Sequence, residues 1–140
     1  MVVCMDEPAD LWCLEWDFLA VDPAGHVAVL SCGGYGPIPQ SALAARESVE
    51  QAIAMISTLP TTTEAVSVVE GDGDYSDWFA MSARGFYAYD WQAWNGPYER
   101  ISAPASPLSI SSLPDEVRAA ATILQIPQQF AESTQLNPPS

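Results

Sequence analysis

The sequence predicts an α+β fold, a largely antiparallel β-sheet covered on one face by two main helices. Three observations predict it. Short apolar or alternating segments lie within 12–32, 65–69 and 85–102. Apolar residues recur at three- and four-residue steps within 48–58 and again after 112. Glycine, proline, asparagine and aspartate cluster between these segments, where the chain must reverse.

The first segment, LWCLEWDFLAVD over 11–22, alternates. Trp12, Leu14, Trp16 and Phe18 share one side and Glu15 and Asp17 the other, which predicts a strand wetted on one face. Asp22-Pro23-Ala24-Gly25 is turn chemistry, and HVAVLSC over 26–32 returns as an apolar strand, so 12–32 reads as a hairpin. GGYGPIPQ then ends the ladder.

Val49, Ala52, Ile53 and Ile56 form the apolar stripe of a helix predicted over 48–58. Ser48 and Gln51 fit a capping box, with Ser41 a competing start. AVSVV at 65–69 is short, β-branched and without a polar side, as a central strand would be. Ser76 through Ala83 reads as a short helix closed by Gly85 in the left-handed conformation, with one arm of a hairpin as the alternative. GFYAYDW at 85–91 is a strand with Tyr87, Tyr89 and Trp91 on one side, and Asn95-Gly96 turns it into a return strand at 97–102. Ser112-Leu-Pro-Asp115 opens a last helix with Val117, Ala120, Ala121 and Leu124 as its apolar stripe. Residues 1–126 are thus expected to form one domain, and 127–140, rich in polar residues and proline, a loose tail.

Composition narrows function. A chain of 140 residues that is 49% hydrophobic, with five Trp, five Tyr and four Phe, has the material for a packed core. Eighteen acidic residues face four Arg and no Lys, a formal net charge of −14. Nucleic acids and anionic membrane surfaces are bound through Lys and Arg, so neither is an expected partner. A cationic partner would be steered in by the long-range field, although acidity also serves solubility alone. Cys4, Cys13 and Cys32 are odd in number and lack C-x-x-C spacing, so neither a disulfide framework nor a zinc site is expected. MVVCMDEPADLW has neither a basic n-region nor an apolar h-region, and the expected location is the cytoplasm.

The densest charge is EGDGDYSDW at 70–78. Glu70, Asp72 and Asp74 match the first half of a calcium loop, but Tyr75 replaces its glycine and Met81 its bidentate carboxylate, so no metal is expected. Glu15 and Asp17 share a strand face, where paired acids serve acid–base chemistry only inside a cleft. SCGGYGP lacks the Lys-Ser/Thr ending of a phosphate loop. His26 is the sole histidine and stands beside a turn, poorly placed for a triad and expected to face solvent. No catalytic residue and no cofactor are therefore expected.

What remains is a binding surface. The turn WQAWNGPY carries Trp94, either an anchor for a partner or part of a satellite core. With the acidic loop it gives charges to steer and aromatics to hold, and the expected partner-binding residues are Asp72, Asp74, Tyr75, Asp77, Trp94, Glu15 and Asp17.

WDFLAVDPAGHVAVLSCGGYGPIP, RGFYAYDW, GPYERISAPASPL and the Leu-Pro before the last helix together resemble small bacterial immunity proteins, which neutralise the toxins of polymorphic or contact-delivered systems. The likeness spans residues 12–124 and is one of pattern, so it transfers no binding residue; the three cysteines and the proline-rich tail depart from it. It implies a cytoplasmic, non-enzymatic protein that binds one cognate toxin and occludes its active site or another essential surface; the net charge of −14 adds the expectation that the toxin's surface is basic. Two alternatives stay open: an adaptor or chaperone module of a secretion apparatus, and a small enzyme using the surface carboxylates.

Overall fold

The computed structural model describes residues 16–33, 36–67, 75–92 and 96–137. Its strands are β1 (Asp17–Val21), β2 (Val27–Ser31), β3 (Ala65–Ser67), β4 (Tyr87–Trp91), β5 (Tyr98–Pro104) and β6 (Gln135–Leu136). Its α-helices are α1 (Gln40–Ala44), α2 (Arg46–Ile56), α3 (Ser76–Ala83) and α4 (Asp115–Thr122). The sheet runs β1-β2-β4-β5-β3, with β6 also paired to β5. Every pairing is antiparallel except β2 with β4, which are parallel. A parallel pair needs a crossover connection, and here α1, α2, β3 and α3 all lie within it. The α+β class and the mainly antiparallel sheet agree with the sequence.

The hairpin forms where Asp22 predicts it. Its Oδ1 accepts hydrogen bonds from the backbone N–H of Ala24 and His26 at 3.0 and 2.9 Å, and Gly25 takes φ +80°. α2 and α4 pack on each other and on β1. There Leu19, Val27, Val29 and Phe86 meet Ala52, Ile56, Val117, Ala120 and Ala121. α3 docks through buried serines: Ser82 Oγ donates to the Phe86 carbonyl, lies 2.6 Å from Ser102 Oγ, and Ser102 Oγ donates to the Trp78 carbonyl. Gly85 follows α3 at φ +103°, the left-handed residue the sequence calls for.

Four expectations change. The strand expected to be wetted on one side is buried on both from Phe18 to Val21. The side expected to be wet, that of Asp17, carries Leu19 onto α2 and α4. The second correction concerns the opposite side, which the segment expected to be a loose tail covers. Phe130, Leu136 and Ile126 pack on Phe18, Ala20, Leu30, Tyr87 and Tyr89. Backbone groups hold the segment too. The Phe130 N–H donates to Asp22 Oδ2 at 2.9 Å, the Arg100 N–H to the Thr134 carbonyl at 2.9 Å, and Tyr89 OH to the Ser133 carbonyl at 2.5 Å. Sparse hydrophobics in a polar stretch conceal this anchoring, because two well-placed side chains suffice.

Third, AVSVV was expected to be central, yet β3 lies at the sheet edge and Val66 is 48% exposed. β-branched residues favour a pleated surface without specifying how many neighbours the strand has. Fourth, both helix starts shift. α2 begins at Arg46, after Ala45, without a side-chain cap, and Ser48 lies inside it; α1 occupies the stretch just before. Burial of Ala42, Val49, Ala52 and Ile56 stands in for the missing cap. α4 is preceded by Pro114, not capped by Ser112, which closes a 3-10 turn over Ile110–Ser112.

Asp22 links the first turn to the C-terminal segment, with its carboxylate accepting three backbone N–H donors. Asp22→Ala orphans all three, including the buried donor of Phe130. The expected loss is about 2–3 kcal/mol, within the range for unsatisfied buried groups, read by urea unfolding. Faster hydrogen exchange at the Phe130 amide should accompany it.

Candidate functional site

One row of the ladder collects charge. Asp17 of β1 faces Ser31 of β2, Ser31 faces Asp90 of β4, and Asp90 faces Glu99 of β5. Registered neighbours project from the same side of a sheet. Leu19 and Val29, two residues from Asp17 and Ser31, meet the helices, so this row continues their face. Like charges directly opposite each other, as at Asp90 and Glu99, oppose folding.

Over the row opens a cleft of about 600 Å³. Asp17, Ser31, Asp90 and Trp91 contribute from the sheet, Glu50 and Ile53 from α2, and Asp77, Trp78 and Met81 from α3; Trp16, Gly33 and Gln92 complete it. Four carboxylates and three indoles therefore line one cavity. Trp16 Nε1 donates to Glu50 Oε2 at 3.0 Å, and Arg46 Nε reaches the same oxygen at 3.3 Å, so Glu50 is held by two donors. Trp91 sets its ring against Tyr98, edge to face with centroids 5.0 Å apart. At Trp78 the Nε1–H is buried with no acceptor among the described residues.

Of the sequence-predicted residues, Asp17 and Asp77 come together as lining of this cleft. Tyr75 lies just before α3 and packs against Trp78 and Phe79, with centroids 5.7 and 6.3 Å away, and its hydroxyl receives Gln92 Nε2 at 3.4 Å. Tyr75 braces the α3 wall without lining the cavity. Glu15, Asp72, Asp74 and Trp94 lie outside the described residues. Sequence reasoning missed Asp90, Glu50, Trp78 and Trp91. Asp90 carried a signal, as a charge between Tyr89 and Trp91 on the side of the strand opposite the aromatics. Glu50 looked like any polar-face residue of α2.

The chemistry available is that of cation recognition. Ser31 stands between two carboxylate-bearing neighbours, but His26 sits just before the opposite end of β2, about 16 Å away at 3.3 Å per residue. His26 is half-buried, with its ring 6.0 Å from that of Tyr87, and does not face solvent openly as expected. Among the described residues no group of three or more His, Cys, Asp or Glu is arranged to hold a metal ion. No helix among them is long and apolar enough to cross a membrane.

Two buried phenols lie behind the site. Burial pushes Tyr98 well above its ordinary value near 10, reinforced by Cys32, Asp90 and Asp17, and Tyr89 is raised chiefly by burial, with Arg100 opposing. Tyr98 OH donates to the Pro37 carbonyl at 2.9 Å. A raised folded-state pKa means their stabilising contribution is intact below about pH 10 and is lost as pH climbs through the folded value. An ultraviolet absorbance titration should show phenols ionising only together with alkaline unfolding. Ionisation of all five tyrosines near pH 10 in a folded chain would contradict this burial.

Comparisons with protein-family models, with curated proteins and with solved structures gave no match for this chain.

Proposed function

We propose that the protein is an immunity-type inhibitor: in the cytoplasm it binds a cognate protein toxin with a basic surface and blocks that toxin by covering its active site or another essential surface. The observation that carries this reading is the joining of four carboxylates and three indoles in one cleft. Acidic side chains steer and orient a basic partner. Aromatic groups supply contact area at low entropic cost. The net charge of −14 extends the attraction beyond the cleft, and the sequence pattern shared with small immunity proteins supplies the toxin as the kind of partner.

The test is growth rescue. A tagged chain captures its partner from the bacterium that encodes it, the partner gene is expressed alone and with this chain, and survival is scored. The reading requires the partner to be toxic alone and harmless together, with rescue weakened by Asp77→Lys combined with Asp90→Asn. Capture of a non-toxic secretion component would move the protein to the adaptor class. Turnover of a small substrate that Asp90→Asn abolishes would make it an enzyme.

A further inference from the structure

We infer that Arg84 is the positioning residue of the cleft: it stands outside the cavity and holds the α3 wall at a set distance from the α2 wall. The inference concerns how the site is built, and rests on the inhibitor reading for the partner that fills it.

The two walls have unequal support. α2 is anchored by Val49, Ala52 and Ile56, all buried, and packs on β1 and α4. α3 packs on β3, β4 and β5, and its one fully buried residue is Ser82. A helix of eight residues without a buried apolar stripe has little packing to fix its place. Its position therefore depends on hydrogen bonds.

Arg84 supplies three of them. It follows the last residue of α3 and donates from Nε to the Leu59 carbonyl at 2.9 Å, from Nη2 to the Ser57 carbonyl at 3.3 Å and from Nη1 to the Ala80 carbonyl at 2.9 Å. Ser57 is the C-cap of α2, so one guanidinium joins the C-terminal ends of both helices. Each of those ends is the negative pole of a macrodipole, and neither helix has a basic residue in its last turn. The cation between them answers both. In a chain with eighteen acidic residues, no carboxylate among the described residues pairs with Arg84. The backbone N–H groups of Thr62 and Thr63 complete the joint, donating to the Ala83 carbonyl at 2.9 and 3.0 Å.

The joint has leverage on the cavity. Glu50 precedes Ser57, and Asp77 precedes Arg84, by seven residues, which is about 10 Å along each helix at 1.5 Å per residue. Glu50 and Asp77 line the cleft from opposite helices, while Arg84 lines none of it. A rotation of α3 at the joint thus changes the separation of the two walls. Lysine cannot substitute, because three carbonyls in different directions need the guanidinium fork and an ammonium is a compact point.

The test uses the whole chain with spin labels at two exposed positions, Gln51→Cys on α2 and Ala80→Cys on α3. Cys4→Ser and Cys13→Ser remove other reactive thiols, and Cys32 is buried. Electron paramagnetic resonance reads the separation of the labels. Arg84→Met keeps the stem and removes the fork; it should shift the separation by about 2 Å, the scale of helix displacements in packed proteins, and Arg84→Lys should do the same. Arg118→Met removes another carbonyl-bound arginine, on α4, and should leave the separation unchanged. With the toxin recovered by growth rescue, Arg84→Met should speed dissociation by about threefold or more without slowing association. An unmoved separation in Arg84→Met, full recovery in Arg84→Lys, an equal shift in Arg118→Met, or a moved wall with the toxin's dissociation rate unchanged would overturn the proposal. Should both Arg84 variants fail to fold, the unsubstituted chain decides: its Arg84 Nε–H should exchange slowly with solvent, and exchange as fast as that of free arginine amide would overturn it. If the separation holds while the toxin is neutralised, the positioning role is wrong and the inhibitor stands. If the separation shifts and the unsubstituted chain neutralises no toxin, the joint stands and the ligand of the cleft lies elsewhere.

Discussion

Phe130→Ala should cost about 3–5 kcal/mol, the range for emptying a buried aromatic site. Domains of this size are stable by only about 5–15 kcal/mol, so the variant should unfold at far lower urea. The ring of Phe130 is fully buried and lies 5.7 and 5.8 Å from those of Tyr87 and Tyr89. Its backbone is fixed as well: the N–H is taken by Asp22, and the carbonyl accepts from Arg100 Nη1 at 2.6 Å and from the Ser133 N–H at 3.3 Å. These bonds hold the backbone in place, so the segment cannot readily collapse into the void, which puts the cost at the upper end. Ala131→Ser, exposed one residue on, should change stability by less than about 0.5 kcal/mol. A loss below about 1 kcal/mol for Phe130→Ala would mean that the C-terminal segment is dispensable to the core.

The second large effect is on association. Asp77 is exposed in the first turn of α3, and Asp90 is half-buried on the sheet beneath. Asp77→Lys with Asp90→Asn makes the cleft less negative by three charges: two from the reversal and one from the neutralisation. The partner's association rate should fall by about tenfold or more at low ionic strength, and the difference should shrink as salt approaches 1 M. Dissociation should change less if the loss is one of steering, and stopped-flow mixing across a salt series separates the two. Relief of the like-charge contact between Asp90 and Glu99 partly offsets whatever stability the substitution removes. An unchanged association rate at low salt would remove the cleft from the encounter surface.

The sequence made the local parts of this fold readable and left the long-range parts hidden. Asp22-Pro-Ala-Gly25, the aromatic alternation of 87–91 and Gly85 after α3 act within a few residues, and each appears where its chemistry requires. β2 and β4 are parallel neighbours only because a crossover of some fifty residues returns the chain to that position. Nothing local to Ser31 or Asp90 encodes their adjacency, so half of the acidic row could not be read in advance. Asp17 and Asp77 were identified as single acids, and the packing of α2 and α3 brought them into one cavity. The C-terminal segment was misjudged for a related reason. Phe130 and Leu136 are isolated in sequence, and their worth comes from a sheet face built a hundred residues earlier.

The anchoring of residues 126–136 on the first hairpin also sets when this chain can mature on the ribosome. Until Phe130 and Leu136 have been synthesised, Phe18, Leu30, Tyr87 and Tyr89 lack part of their cover on that side. A nascent chain halted before that point presents a greasy sheet to chaperones and proteases. Leu136 must therefore be made before this face of the sheet is closed.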